Sequence, residues 1–279
     1  MKSMFEEAKE GRYAIMAFNY SDMWDLWAIE RAARETRSPV IFSCYTAMYQ
    51  ELGVDWFAGL GEALMKRGER FYHHQDHSHD PELCRQAAEL GFASVMFDGS
   101  ALPFEENVRL TRLAADYAHS RGALIEGELG RVGGRGAQGG GSSGLVAVES
   151  VAEFVERTGV DLLAIGIGTA HGFYTEKPKI DFKRLEDVAG RVSIPLVMHG
   201  GTGIPDEDVA RAIQLGIRKL NVGTIVHHTY LKSLRQSLET AGDNPYTLDV
   251  MKKVQEPILD VLRHYLRLSG SMGKLSGII

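Results

Sequence analysis

Cysteine is nearly absent: Cys44 and Cys84 are the two in a chain of 279 residues. So little cysteine excludes a disulfide scaffold and fits a reducing, cytoplasmic setting. Positive charge is not in excess either, since 31 Lys plus Arg face 37 Asp plus Glu, for a net charge of −6. A phosphate-binding surface needs basic residues, so no nucleic-acid partner is expected. No stretch reaches the roughly 18 apolar residues of a membrane helix, and no membrane partner is expected. The opening MKSMFEEAKE, with three Glu, lacks the apolar run of an export signal. With 44% hydrophobic residues and no dividing linker, the chain is expected to fold as one domain, 1–279.

What is present is a rhythm. Short apolar runs stand at 14–18 (AIMAF), 39–42 (PVIF), 70–75 (RFYHHQ), 93–97 (ASVMF), 123–127 (ALIEG), 161–165 (DLLAI), 195–199 (PLVMH) and 218–222 (RKLNV). Between them lie segments with apolar residues three and four apart: 22–36, 54–67, 81–90, 103–120, 148–158 and 205–215. Pro81, Pro103 and Pro205 sit where a first helical turn tolerates proline. Eight strand-like runs, most followed by a helix, match a (β/α)8 TIM barrel. An open doubly wound sheet shares the alternation but not the count. A final helical pair, 224–241 and 248–268, is expected as a C-terminal extension that closes the fold and offers an oligomer surface. The stretch 133–144 (GGRGAQGGGSSG) reads as a mobile loop after the fifth strand.

Polar residues gather where the strands end, which in such a barrel is where ligands bind. Asn19 follows the first run, Asp76 and His77 the third, and Asp98 and Ser100 the fourth. Glu126 and Glu128 end the fifth, Gly168-Thr169-Ala170-His171-Gly172 follows the sixth, and His199-Gly200-Gly201-Thr202-Gly203 and Asn221-Val222-Gly223-Thr224 close the last two. Buried polarity needs partners, so these groups satisfy one another or serve a ligand. His77, His171 and His199, on three different strands, suit a metal with an open position, whereas a lone strand-end histidine is ordinarily structural. In HHQDHSH, strict alternation puts His77 and His79 on one face and His74 on the other. His227 and His228 read as surface or interface residues. The two glycine turns, each leading into a helix, suit an anion.

The blocks AIMAFNY, YHHQDHS, SVMFDGSALPFEENV, IEGELGRVGG, GTAHGFY, PLVMHGGTGIP and KLNVGT span nearly the whole chain in this order. They resemble the class II, metal-dependent fructose-bisphosphate aldolases, and within them the tagatose-bisphosphate and related ketose-bisphosphate branch. The resemblance implies a barrel assembled as a homodimer or homotetramer, a Zn2+ ion and a small sugar phosphate as substrate. His77, His171 and His199 match the zinc ligands, and Asp76 the acid/base at the bond made or broken. Gly172, Gly200, Thr202, Asn221 and Thr224 match the cradle for the phosphate of dihydroxyacetone phosphate, Thr202 standing where serine is commoner. Asp98, Ser100 and Glu128 match a second monovalent or divalent cation site or a support for the zinc, and Asn19 a position near substrate.

The implied reaction cleaves a phosphorylated ketose to dihydroxyacetone phosphate and an aldehyde, with the ion stabilising charge beside the ketone. A metal-free route would need a Schiff-base lysine, and Lys219 is the only lysine inside a strand run. Three departures stand out. Residues 135–144 carry no carboxylate where the family has an acidic cluster, gaining Arg135 and Gln138 instead; Gln75 and Ser78 flank the Asp76–His77 pair; and Thr175 replaces a common lysine. The missing loop carboxylate leaves two alternatives, a sugar-phosphate epimerase or isomerase and a non-catalytic sugar-phosphate-binding subunit.

Overall fold

Residues along the strands are apolar on both faces, the pattern of parallel strands packed between a barrel interior and a helical layer. On β1 (Ile15–Asn19), Ile15 and Ala17 join one buried cluster while Met16 and Phe18 join another. The computed structural model describes residues 1–68, 70–134 and 144–275. In it, β1, β2 (Val40–Tyr45), β3 (Phe71–Ser78), β4 (Ser94–Phe97), β5 (Leu124–Leu129), β6 (Leu162–Ile165), β7 (Leu196–Met198) and β8 (Ile217–Val222) pair in parallel and close into a barrel. The chain is therefore a TIM barrel, with β8 hydrogen-bonded to β1, and not an open sheet. Most of residues 135–144, including Arg135 and Gln138, lies outside the described residues.

Helices α1 (Lys2–Glu10), α2 (Met23–Thr36), α3 (Thr46–Leu52), α4 (Val54–Arg67), α5 (Pro81–Glu89), α6 (Phe104–Ser120), α7 (Val151–Thr158), α8 (Phe182–Ala189), α9 (Asp206–Leu215), α10 (Thr224–Glu239) and α11 (Thr247–Leu268) alternate with the strands. Local chemistry starts several of them. Asp22 and Asp25 form a reciprocal capping box on α2, Asp80 caps α5 ahead of Pro81, and Asp181 accepts from the Arg184 N–H on α8. The expected C-terminal pair is present as α10 and α11, and α11 packs between α2 and α9 to complete the outer ring. Among the described residues, no helix is long and apolar enough to cross a membrane.

The structure adds three helices and lengthens three strands. Helix α3 is seven residues long and α8 buries only Leu185 and Val188, too little to stand out as a pattern. Strand β2 runs on to Tyr45, β3 to Ser78 and β5 to Leu129. Each continuation begins at a polar residue, Ser43, Asp76 or Glu128, so hydropathy ended the strands early. Helix α1, an amphipathic plug, sends Met4, Phe5 and Ala8 into the cluster formed by the inward Ile15, Ala17, Ile41, Met96, Leu162, Ala164 and Val197. Arg70, just before β3, pairs with Glu7 at 2.5 Å and ties the plug to the barrel. Phe5→Ala should cost about 3–5 kcal/mol of unfolding free energy in urea titrations. A loss below about 1 kcal/mol would show that α1 is not part of the core.

Candidate active site

One backbone irregularity sets the geometry of the site. Successive side chains on a strand point to opposite faces, so Asp76 and His77 should diverge. Instead the β3–β4 register shifts between Gln75 and Ser78, and His77 takes a left-handed φ of +50°. A bulge with such a residue re-aims a side chain. Asp76 and His77 therefore both line the barrel mouth, and His79, though largely exposed, lines the same cleft. His77 and His79 thus face one cleft, but His74 also points into the barrel, onto Lys219, so strict alternation in the HHQDHSH tract fails there. Asp76, His77 and Glu128 lie within strands rather than after them.

Three imidazoles converge at the mouth. Ring centroids lie 4.9 Å apart for His77–His171, 4.6 Å for His77–His199 and 5.8 Å for His171–His199. One nitrogen of each lies within 4.8 Å of the others. His77 Nδ1 meets Asp98 Oδ2 at 3.2 Å and His199 Nε2 meets Glu126 Oε1 at 2.8 Å, while His77 Nε2 and His199 Nδ1 are buried without a partner. Carboxylates fixing the far nitrogen of an imidazole are what metal-binding histidines use. His77, Asp98 and Glu128 form a second group of donors spaced for a cation. The His171 backbone is itself pinned, its N–H donating to Gly133 O at 2.7 Å.

Charge at the mouth follows from this packing. Burial works against a proton on His77, yet the Asp76, Asp98 and Glu128 carboxylates raise its imidazole to about 9. The same negative field favours a cation. Burial, then the neighbouring His77, lowers His199 well below the usual imidazole range and leaves it neutral. Burial together with Asp98 raises Glu128 to about 8. Asp76 resists the upward push of burial: the charges of His77 and Lys219, with a hydrogen bond from Asn19, lower it below the usual carboxylate range. The Asn19 and Asn221 amides donate to its two oxygens at 2.7 and 3.1 Å.

Beside the imidazoles lies a small polar pocket lined by Asn19, Asp76, His171, Gly172, His199, Gly200, Thr202, Asn221 and Thr224. Thr202 Oγ1 accepts from the Ile225 N–H in the first turn of α10, joining the two glycine turns. Glycine is needed here: a Cβ on Gly223 would meet Tyr45 OH at 2.4 Å, and one on Gly200 (φ +72°) would meet Ala170 O at 2.4 Å. Backbone N–H groups at a helix start beside such turns form an anion cradle. A wider cleft of about 580 Å³ continues past Asp98, Ser100 and Glu128 to Met48, Ala101, Arg131 and Val132. Each residue that the resemblance matched to a zinc, acid/base, phosphate or second-cation role, and Asn19, lines one of these two adjoining spaces, whereas Glu126 and Lys219 lie beneath them.

The family described as fructose-bisphosphate aldolase class-II matches residues 1–274. The chain belongs to the class II fructose-bisphosphate aldolases. It is 38% identical to a fructose-bisphosphate aldolase of Geobacillus stearothermophilus, over 98% of this chain and 97% of that one. It is 35% identical to a sulfofructosephosphate aldolase of Alkalicoccus urumqiensis, over 98% and 96%. The crystal structure of the YdjI aldolase from Escherichia coli K12 superposes with a TM-score of 0.86, at 31% identity over 99% and 98% of the two chains. The chain is thus an aldolase, a carbon–carbon lyase.

Sequence reasoning missed several parts of this aldolase's mouth. Tyr45 lies on the polar end of β2, beyond where hydropathy stopped. Glu126 was visible as a strand-end carboxylate but its partner was not; its i, i+2 relation to Glu128 was the available signal. His227 is not a plain surface residue, since its Nδ1 bonds Ser21 Oγ at 2.7 Å and its ring packs on Tyr45. Gly200→Ala should lower stability by at least about 1 kcal/mol, because a left-handed φ and a backbone clash coincide. Chemical denaturation reads this, and an unchanged midpoint would refute the clash.

Proposed function

We propose that this aldolase is zinc-dependent and reversibly cleaves a phosphorylated ketose to dihydroxyacetone phosphate and an aldehyde. The observation that carries the reading is the pair of buried, unpartnered nitrogens, His77 Nε2 and His199 Nδ1, facing His171 beside the two-turn cradle. A buried ring nitrogen without a partner is costly whether or not it carries a proton, and a divalent ion that displaces the His77 proton and takes one lone pair from each ring satisfies both. When bound, zinc supplies Lewis acidity to the ketone and hydroxyl oxygens. A further cation, monovalent or divalent, would be held by Asp98 and Glu128, with Ser100 holding Asp98 through a 2.7 Å hydrogen bond.

The rest of the chemistry belongs to side chains and backbone. Gly172, Gly200, Thr202, Asn221 and Thr224 hold the phosphate, which orients the ketose with its reacting carbons over Asp76. In cleavage Asp76 removes the proton from the hydroxyl on the carbon leaving as aldehyde, and it returns that proton in condensation. Its lowered pKa keeps it ionised and ready as a base, and the Asn19 and Asn221 amides fix its plane. Lys219 does not take a Schiff-base role, because it is buried inside the barrel on Glu126.

The aldehyde end of the substrate faces Met48, Ala101, Val132 and Arg131. The relatives' names place a phosphate or a sulfonate on their substrates, and Arg131 offers a cation to either. The reading includes a cytoplasmic homodimer or homotetramer. Both cysteines are free, and α2 and α10, joined by the Tyr230–Asp22 hydrogen bond, expose Met23, Trp27, Leu231 and Leu238.

Triose release from a panel of ketose 1-phosphates, ketose bisphosphates and a sulfonated ketose phosphate, followed by NMR, is the direct test. Excess chelator should abolish release and zinc restore it. Asp76→Asn should keep the metal and lose about 10²–10⁴-fold in kcat, whereas His77→Ala should lose the metal. Full activity after confirmed metal removal, or an epimerised ketose with no triose, would overturn the reading.

A further inference from the structure

Beneath the imidazoles, a chain of polar side chains crosses the barrel interior. Lys219 on β8 is fully buried, its Nζ 2.6 Å from Glu126 Oε2 and 3.2 Å from His74 Nε2. His74 Nδ1 lies 2.7 Å from Ser94 Oγ, and Glu126 Oε1 lies 2.8 Å from His199 Nε2. A lysine has donors only, so both atoms facing it must accept. His74 then carries its proton on Nδ1 and gives it to Ser94. Glu126, already accepting on Oε2, accepts on Oε1 as well, so His199 carries its proton on Nε2. The nitrogen left with a lone pair is Nδ1, buried without a partner on a ring that groups with those of His77 and His171.

We propose that Lys219 is a positioning residue for the metal centre: acting through Glu126, it fixes the tautomer and ring orientation of His199. Packing alone would not require this arrangement. A buried lysine–carboxylate pair is weak evidence for stability, and apolar residues of similar volume serve a barrel core as well or better. Its directionality is what a metal ligand needs, since an imidazole with the proton on the wrong nitrogen cannot ligate. The network joins β8, β5, β3 and β4 to the residue just after β7, so strands far apart along the chain must close the barrel before His199 is set.

The inference rests on the zinc reading, and the test separates the two. Zinc affinity of the whole protein is measured by competition with a chromogenic chelator, alongside the visible spectrum of the Co2+-loaded protein. His199 side-chain ¹⁵N shifts in the metal-free protein report the tautomer. Lys219→Met and Glu126→Gln should each weaken zinc binding about 10–100-fold and change the Co2+ spectrum. The double variant, which leaves no charge unpaired, should be no weaker than the worse single one. His199 should be protonated on Nε2 in the parent and mixed in Lys219→Met. Should Lys219→Met fail to fold, the double variant decides: parent-like zinc affinity with an unchanged tautomer overturns the inference. If the parent itself binds no zinc, the metal reading falls and takes this inference with it. If the parent binds zinc and the variants bind equally, only the role of Lys219 falls.

Discussion

Two imidazole nitrogens buried with nothing to bond, His77 Nε2 and His199 Nδ1, are the constraint around which the mouth of this barrel is organised. Interiors rarely tolerate such atoms, because an unmade hydrogen bond costs about 1–3 kcal/mol. Here the opposite nitrogen of each ring is committed to a carboxylate, Asp98 for His77 and Glu126 for His199, so neither ring can turn to relieve the other side. The bulge that gives His77 its positive φ brings Asp76 and His77 to the same cavity. A site that needs both a base and a ligand from one strand end has few other ways to present them.

The barrel interior changes character along its axis. At the end closed by α1 it is apolar, filled by Met4, Phe5, Ile15, Ile41, Met96 and Val197. In the middle lies the buried network of His74, Glu126 and Lys219, and at the mouth the imidazoles and carboxylates. Apolar packing fills the closed end and the polar donors gather at the open one, with the buried network between them.

Much of the candidate site was legible because strand ends in such a barrel are its active face, so polar residues after apolar runs name themselves. His171, His199, Asp98 and Asn221 were found this way. Tyr45, the inward path of Lys219 and the Glu126–His199 bond were not. Each depends on which strand lies opposite, and on the inward or outward sense of a residue beyond the hydrophobic run. The short helices α3 and α8 escaped for a related reason: with two buried residues apiece, neither carries a period.

By itself the sequence determined the alternation of strand and helix, the closing count of eight, the family and the donor types at each strand end, because these follow from local pattern and residue chemistry. Tertiary structure alone decided which nitrogens converge, that one residue of β3 is turned out of register, and that a lysine lies inside the barrel on a carboxylate. Distance between groups remote in the chain is set by closure of the barrel, and no local pattern encodes it.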